Sequence, residues 1–354
     1  RLKNLEKQEA DGTFELLTKK EAALRVKELT RLRKHLDGIK NMKNLPDVAI
    51  VVDQKREMTA IAECRKLGIP ILIGKEERVK EQLKNIGLDT NFDIQIVSSK
   101  DNKKREKYTN YLYKKFQRSG MLEREADHMV RNDRVTWGTC MVANGDADAM
   151  VTGGTRHHAA TMEKLLKVTE ARPGEIVFGL SLMVSRGRTV LIADTNVHDN
   201  PTAEQLVQIA ISSTRIARLF GFDPKVAFVS HSTFGQPLTS RTKHTRNAVE
   251  ILKERKVDFE FDGDMQPDVA LNQEYADLYP FSDIVGNANI LIMPGQHSAA
   301  ISYKIMKALG GAKVIGPLLI GLGQPIEIAP LRSSTSDILN LASVAAYSAG
   351  VISY

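Results

Sequence analysis

Short apolar runs alternate with amphipathic stretches along most of the chain. From Thr18 to Leu36 the pattern predicts a helix. Thr18 with Glu21 forms a capping-box signature, Leu17 precedes it as a staple, and Val26, Leu29, Leu32 and Leu36 recur at helical spacing. Gly38 and the GIKNMKNLPD stretch break it. VAIVVD (Val48–Asp53) is a run rich in β-branched residues and reads as a buried parallel strand. Met58 to Leu67 reads as a helix closed by Gly68, and IPILIG as the next strand, which completes a βαβ unit.

The alternation continues. Helices are expected at Lys75–Ile86, Arg105–Arg118, Arg124–Val130 and Thr136–Asn144, with IQIVSS a strand and AMVTGG a strand running into a glycine loop. IVFGLSLMVS and TVLIADTNV are strands joined by Arg186-Gly187-Arg188, which predicts an antiparallel hairpin. Asn200 is read as the cap of a long helix with Pro201 first, its buried stripe formed by Leu206, Ile209, Ala210, Ser213, Ile216, Ala217 and Phe220. VAFVSH, NILIMP and VIGPLLIG are further strands; Arg241–Arg255, Ser298–Leu309 and Ser336–Ala349 are further helices. Repeated strand–helix order predicts an α/β fold with a mostly parallel sheet covered on both faces. No internal repeat, low-complexity tract or long linker interrupts it.

Composition adds exclusions. At 354 residues, 42% hydrophobic and 26% charged, the chain is of ordinary soluble type with material for about two domains. No apolar window approaches the roughly 18 residues of a membrane span. RLKNLEKQEADGTFELL is charged throughout, so it reads as neither signal peptide nor anchor, and the absence of an initial Met leaves the true start expected upstream. Cys64 and Cys140 cannot make a disulfide framework or a four-cysteine zinc site, so a cytoplasmic protein is expected. Residues 1–70 hold 16 Lys and Arg against 11 Asp and Glu, leaving 34 against 32 elsewhere. Such an excess marks either nucleic-acid contact or a solvated helix face.

In doubly wound sheets, ligands bind beyond the carboxyl ends of the strands. Four loops fit that position. In Thr152-Gly153-Gly154-Thr155-Arg156-His157-His158 the glycines allow close backbone approach and Arg156 can pair with phosphate, although a plain strand–helix turn has the same pattern. The adjacent histidines point apart on any regular element, which argues against a metal. His231-Ser232-Thr233-Phe234-Gly235 offers hydroxyls and amides for a phosphoryl or carbonyl oxygen, or else helix caps. Pro294-Gly295-Gln296-His297-Ser298 leads into a helix, and Pro330–Asp337 opens the last one. Asp337 reads equally as a general base or as an acid stabilised by the helix dipole. Asp146 and Asp148 look like paired carboxylates or, more simply, turn caps.

From Ile69 onward the chain resembles the phosphate acetyl/butyryl transferase (phosphotransacetylase) family. PILIGKEERV, GTCMVANGDADAMVTGG, NPTAEQLVQIAISS, KVAFVSHSTFG, FDGDMQPDVAL, NANILIMP, SYKIMKALGGAKVIGPLLIGLGQPI and SDILNLASVAAY carry the resemblance. It implies two doubly wound, mostly parallel three-layer α/β/α domains with an acyl-CoA cleft between them, residues 71–174 with 318–354 forming one and 175–317 the other. RGRTVLIADTNVHDNPTAEQL, STFGQP, VDFEFDGDMQPDVALN and LYPF are most similar to the C-terminal domain of bacterial NADP-dependent malic enzymes. That domain is understood as a regulatory acetyl-CoA sensor and oligomerisation module, its catalytic domain lying upstream.

The resemblance places ligand contacts at Gly153, Arg156, Ser232, Thr233, His297 and Asp337, with acetyl-CoA or CoA as ligand and no covalently bound cofactor. A homodimer or higher homo-oligomer is implied, with the last helix a candidate interface. Active transferases carry a Ser-Arg pair seven residues before the aspartate; here Pro330 and Leu331 stand there. A family arginine aligns with Glu163, and another expected near Phe116 is missing, although Lys115 and Arg118 lie close. A phosphate dianion needs guanidinium partners, so these departures argue against turnover. The alternative is an active enzyme converting acetyl-CoA and phosphate to acetyl phosphate and CoA, with Asp337 as base.

Residues 1–70 resemble something else. LKNLEKQEADGTFELLTKKEAAL, GIKNMKNLPDVAIVVD and AIAECRKLGIP look like the central part, including the projecting helical hairpin, of the bacterial 30S ribosomal protein numbered two. RNA contact through this segment is a further alternative. On this reading the strand Val48–Asp53 and the helix Met58–Leu67 fill the slots of the transferase's own first β–α pair.

Overall fold

The computed structural model describes Glu9, Asp11, Ala22, Arg25 and Val26, the backbone of Val48–Ile50, and residues 68–85, 94–99, 101–235 and 239–351. The chain divides into Arg1–Leu45 and Pro46–Tyr354. In the first unit Glu9, Ala22, Arg25 and Val26 are helical; the rest of the 18–36 helix lies outside the described residues, as does the Met58–Leu67 helix and with them most of the ribosomal-protein-like segment.

The second unit is built on two sheets. Strands β1 (Val48–Ile50), β2 (Pro70–Ile73), β3 (Gln95–Val97), β4 (Ala149–Gly153) and β11 (Ile326–Ala329) form the first, in the order β11-β4-β1-β2-β3, with every pairing parallel. β1 therefore lies in the middle of the sheet, between β4 and β2. Strands β5 (Phe178–Ser185), β6 (Arg188–Ala193), β7 (Lys225–Val229), β8 (Glu260–Met265), β9 (Ile290–Ile292) and β10 (Lys313–Ile320) form the second, in the order β10-β5-β6-β9-β7-β8. Here β6, β9, β7 and β8 run parallel, while β5 is antiparallel to both β6 and β10. The β5–β6 hairpin turns on Arg186 and Gly187, both at positive φ (49° and 78°), as a tight two-residue turn requires.

Ten helices among the described residues cover the sheets: α1 (Glu76–Asn85), α2 (Asn102–Phe116), α3 (Glu123–Asn132), α4 (Arg134–Ala143), α5 (His158–Leu166), α6 (Ala203–Leu219), α7 (Ser240–Arg255), α8 (Pro267–Leu271), α9 (Gln296–Leu309) and α10 (Thr335–Val351). Alternate residues of each strand feed opposite faces. In β2, Leu72 joins a core with Val79 and Leu83 of α1 and Ile338 and Leu341 of α10, whereas Ile71 and Ile73 join one with Tyr108, Trp137 and Leu165. In the second sheet, Leu191 and Phe228 pack toward α6 and α7, while Ile192 and Val229 pack toward Val269 of α8 and Ala299 of α9. Helix α10 spans the two sheets, packing on β1, β4, β11 and β10. No helix among the described residues is long and apolar enough to cross a membrane.

Three expectations change. Thr202, not Asn200, caps α6: its hydroxyl accepts the Gln205 N–H and the Gln205 side chain accepts the Thr202 N–H, because Pro201 lies outside the helix rather than in its first turn. The last helix is no exposed interface, since Ile338, Leu341, Ala342, Ala345 and Ala346 are buried against the sheets. Strand β10 belongs whole to the second sheet, so the chain crosses back after Ile320 rather than at residue 318. As for the acidic pair, Asp146 ties helices together: it accepts the Tyr108 hydroxyl (2.8 Å) and pairs with Lys107 (2.9 Å).

One buried group has no signal in the apolar run that holds it. Glu327, in the middle of β11, is 4% exposed, and its Oε2 accepts the N–H of Leu319 (2.9 Å) on β10, the edge strand of the other sheet. Burial, only partly offset by that one N–H, pushes its carboxyl up to about 8. The folded state thus holds a proton that the unfolded chain releases above about 4.5, and the stability Glu327 contributes is lost as pH rises toward about 8. The wild-type melting temperature is expected to fall between about pH 5 and 8 and level off above it, by an amount equivalent to a few kcal/mol at about 1.4 kcal/mol per unit of pKa difference. Glu327→Gln, which keeps an acceptor without a charge, should flatten that fall; calorimetry across the range measures it.

Candidate functional site

The carboxyl ends of β4 and β11 are pressed together. Gly153 has φ +111°, and a Cβ there would lie 2.3 Å from the Ala329 carbonyl oxygen, so no side chain fits. The Gly154 N–H donates to that same oxygen (3.0 Å), and the Arg332 N–H donates to the Gly154 carbonyl (3.3 Å). The glycine loop and the Pro330–Asp337 loop are therefore neighbours. Asp337 is half-buried and engaged in a reciprocal cap of α10: its Oδ2 accepts the Ser334 N–H (2.9 Å) while its own N–H donates to the Ser334 hydroxyl (3.1 Å).

Arg156 is held to one side. Its guanidinium donates to Asp133 Oδ1 (2.8 Å), which also receives Lys164 (3.1 Å), and the arginine side chain is 44% exposed. Asp133 in turn caps α4 through the Thr136 N–H (3.3 Å) and hydroxyl (2.9 Å). Burial raises the Asp133 carboxyl, but hydrogen bonds from Arg156, Lys164 and Thr136 outweigh it and hold it below the usual range. Glu163 is exposed and paired with Lys167 (2.7 Å). Lys115 donates to the Val168 carbonyl (3.0 Å) and pairs with Glu170 (3.1 Å), so neither it nor Arg156 is a free cation.

His158 links the two sheets. Asn196, on the loop after β6, places its Nδ2 2.7 Å from the imidazole Nε2. Burial lowers this imidazole to about 4, so at neutral pH it is uncharged and accepts the amide. His157 is exposed, and no cluster of three metal-binding side chains occurs among the described residues.

In the second sheet the loops after β6, β7 and β9 emerge side by side, since these strands are parallel neighbours. Ser232 is buried and donates its hydroxyl to Asp264, which also accepts the Arg246 guanidinium (3.0 Å). Thr233 accepts the Gln266 N–H (3.2 Å), and the Gln266 side chain donates to the His231 carbonyl (2.9 Å). These two hydroxyls build the loop rather than stand free in it. His297 is exposed at the start of α9 and lines a pocket of about 270 Å³ with Asp199, Asn200, Pro294, Gly295 and Ser298. Gly295 is required there: a Cβ would lie 2.2 Å from the Asp199 carbonyl oxygen.

Sequence reasoning missed Asp194, the fully buried residue that shapes this wall. Its Oδ1 accepts the N–H groups of Gly179 (2.8 Å), Asn196 (2.8 Å) and Val197 (3.1 Å); its Oδ2 accepts that of His198 (2.7 Å). The signal was an aspartate at the end of an apolar strand, followed by turn formers. The structure thus joins Gly153 to the Asp337 loop, and His297 to the Asp194 loop, with His158 and Asn196 between the two groups. It leaves Arg156 and Ser232 bound to carboxylates.

Comparison with known proteins decides the family. The sequence pattern of the phosphate acetyl/butaryl transferases matches residues 46–346. The chain belongs to that family. The match begins before β1, so this strand, read from the sequence as ribosomal-protein-like, falls within the transferase span. An NADP-dependent malic enzyme of Rhizobium meliloti is 44% identical over 300 residues, covering 84% of this chain and 39% of its own. The phosphate acetyltransferase of Clostridium acetobutylicum is 32% identical over 303 residues, covering 82% of this chain and 90% of its own. A phosphotransacetylase from Streptococcus pyogenes superposes with a TM-score of 0.79 at 29% identity, over 88% of this chain and 97% of that one. The chain spans about two fifths of the length of the malic enzymes it matches.

Within this transferase fold, Asp133 serves as both helix cap and counter-charge. Asp133→Ala is expected to cost about 1–2 kcal/mol in urea unfolding, as a lost cap does. Because its carboxyl is held low, its contribution is present above about pH 4 and lost as pH falls through the folded-state value; the variant should show a shallower acid limb.

Proposed function

We propose that the chain is the phosphotransacetylase-type domain of a malic-enzyme-type protein and binds acetyl-CoA, or a related acyl-CoA, between its two sheets as a regulatory and oligomerisation module without turnover. The observation that carries this reading is Pro330-Leu331 at the end of β11, beside the Gly153–Gly154 turn, where the family resemblance calls for a Ser-Arg pair. A pyrrolidine and an isobutyl group, the latter 46% exposed, offer nothing to a phosphate dianion. The engagement of Arg156 by Asp133 works in the same direction. A malic-enzyme relative at 44% identity supports the parent type, and we place the chain in the cytoplasm. The transferase reading keeps two supports, the 90% coverage of the Clostridium phosphate acetyltransferase and the 97% coverage of the Streptococcus phosphotransacetylase.

Titration calorimetry with acetyl-CoA, alongside a transferase assay on the same sample, tests the reading. Saturable heat without CoA release from acetyl-CoA and phosphate is expected; turnover overturns the sensor, and absence of heat overturns acyl-CoA binding. Pro330→Ser with Leu331→Arg should raise transferase activity at least tenfold above background if those positions are what removed it.

For oligomerisation, the exposed apolar surface lies on α9, where Ile301, Ile305, Met306 and Leu309 face solvent, Leu309 at 86%. A second copy of this helix would cover them. Ile305→Glu with Leu309→Glu is expected to convert the oligomer to a monomer in light scattering after gel filtration, with helicity unchanged by circular dichroism.

A further inference from the structure

One imidazole, next in sequence to the pocket residue Asp199, is oriented and idle. His198 follows Asp194 by four residues, and its Nδ1 lies 2.7 Å from Asp194 Oδ2. That carboxylate already accepts four backbone N–H groups, three on Oδ1 and that of His198 itself on Oδ2. It is fully buried and its position is set by the loop it holds. An acceptor opposite Nδ1 places the imidazole's proton on Nδ1 and leaves the lone pair on Nε2. Nε2 has no hydrogen-bond partner among the described residues, and the side chain is 18% exposed.

The loop that carries His198 is the part of the second sheet that reaches the first. Asn196, two residues earlier, touches His158; Asp199, next in sequence, lines the pocket; and the His198 carbonyl accepts the Gln296 N–H (2.8 Å) from the loop of His297. Of the charged and titratable groups in this region, Asp194 contacts the ring, Asp199 is next in sequence, and His158 and His297 lie on the segments that Asn196 and the His198 carbonyl touch. Asp337, the base that the family resemblance supplies, is tied into its Ser334 cap.

We propose that His198, oriented by Asp194, is the proton acceptor of this site and that its partner is the free thiol of CoA. The inference rests on the acyl-CoA reading above and deepens it. The S–H bond breaks, its proton passes to Nε2, and the electron pair stays on sulfur. The products are a thiolate and an imidazolium whose Nδ1–H remains on Asp194; nothing is oxidised or reduced. Acetyl-CoA, whose sulfur carries no proton, cannot take part, so the pair distinguishes CoA from its acyl form.

The test is ultraviolet difference spectroscopy of the thiolate band at neutral pH, with free CoA added to the purified chain and occupancy taken from calorimetry on the same sample. Wild-type protein should show the band for bound CoA and none for bound acetyl-CoA. His198→Gln should lose it roughly tenfold per bound molecule, the change in thiolate fraction that one unit of pKa brings to a thiol still mostly protonated. His198→Ala should recover it on addition of imidazole, which a merely structural role for the ring would not allow. An unchanged band in His198→Gln, or bound CoA without a band in the wild type, overturns the inference and leaves the binding reading standing. Heat with acetyl-CoA but none with CoA removes this inference alone; absence of heat with both ligands removes both readings.

Discussion

The close approach of β4 and β11 is the constraint on which the rest of the molecule depends. The two strands come from distant parts of the chain, and all six strands of the second sheet lie between them in sequence. Their pairing ends at Gly153 against Ala329, where no Cβ fits, and that single steric condition brings the glycine loop and the Pro330–Asp337 loop to one edge. It also fixes α10, which leaves β11 and packs across both sheets. The second sheet is in effect an insertion held in place by a pairing that precedes and follows it.

Carboxylates, two of them fully buried and two half-buried, do the finer positioning. Asp194 gathers the loop after β6, Asp264 holds Ser232 and Arg246, Asp133 holds Arg156 and Lys164, and Asp146 holds Tyr108 and Lys107. Each has several donors, which is what an anion removed from water requires. Glu327 is the exception, with one backbone N–H, and burial accordingly leaves it protonated into mildly alkaline conditions. The same logic that rigidifies the loops therefore places one proton-dependent contact at the join between the sheets.

Much of the fold was legible because it rests on local pattern. Nine of the eleven strands among the described residues read as apolar runs, the β5–β6 hairpin as Arg-Gly between two such runs, and the buried stripe of α6 as helical spacing, Phe220 alone of that stripe lying beyond the helix and half-buried. What escaped was set by partners far along the chain. Nothing around Arg156 announces that Asp133 will take its guanidinium, and nothing around Ser232 announces Asp264. Strand β11, IEIA, was not read from the sequence, nor was β8, EFDGDM, because acidic residues interrupt both runs. The crossing point between the sheets was misplaced for a different reason. The boundary at 318 came from the family resemblance and cut through VIGPLLIG, which the apolar pattern read as one strand and which pairs with β5 along its length.

The two edges of the site have gone different ways, and the chemistry of their ligands explains how that can be tolerated. A phosphoryl group in transfer demands several fixed positive donors at once; on the proposed reading, Pro330 and Leu331 in place of two polar positions, with Arg156 tied to a carboxylate, account for a loss of that function. A thiol demands only one well-placed acceptor, and an imidazole held by a buried carboxylate supplies it without help from the other sheet. On the proposed reading, recognition of CoA rests on the second sheet, where Asp194 and the close Gly295–Asp199 approach keep the loops rigid, while the first sheet is free to drift from catalysis. A domain that senses a product and no longer makes it needs no more than that division.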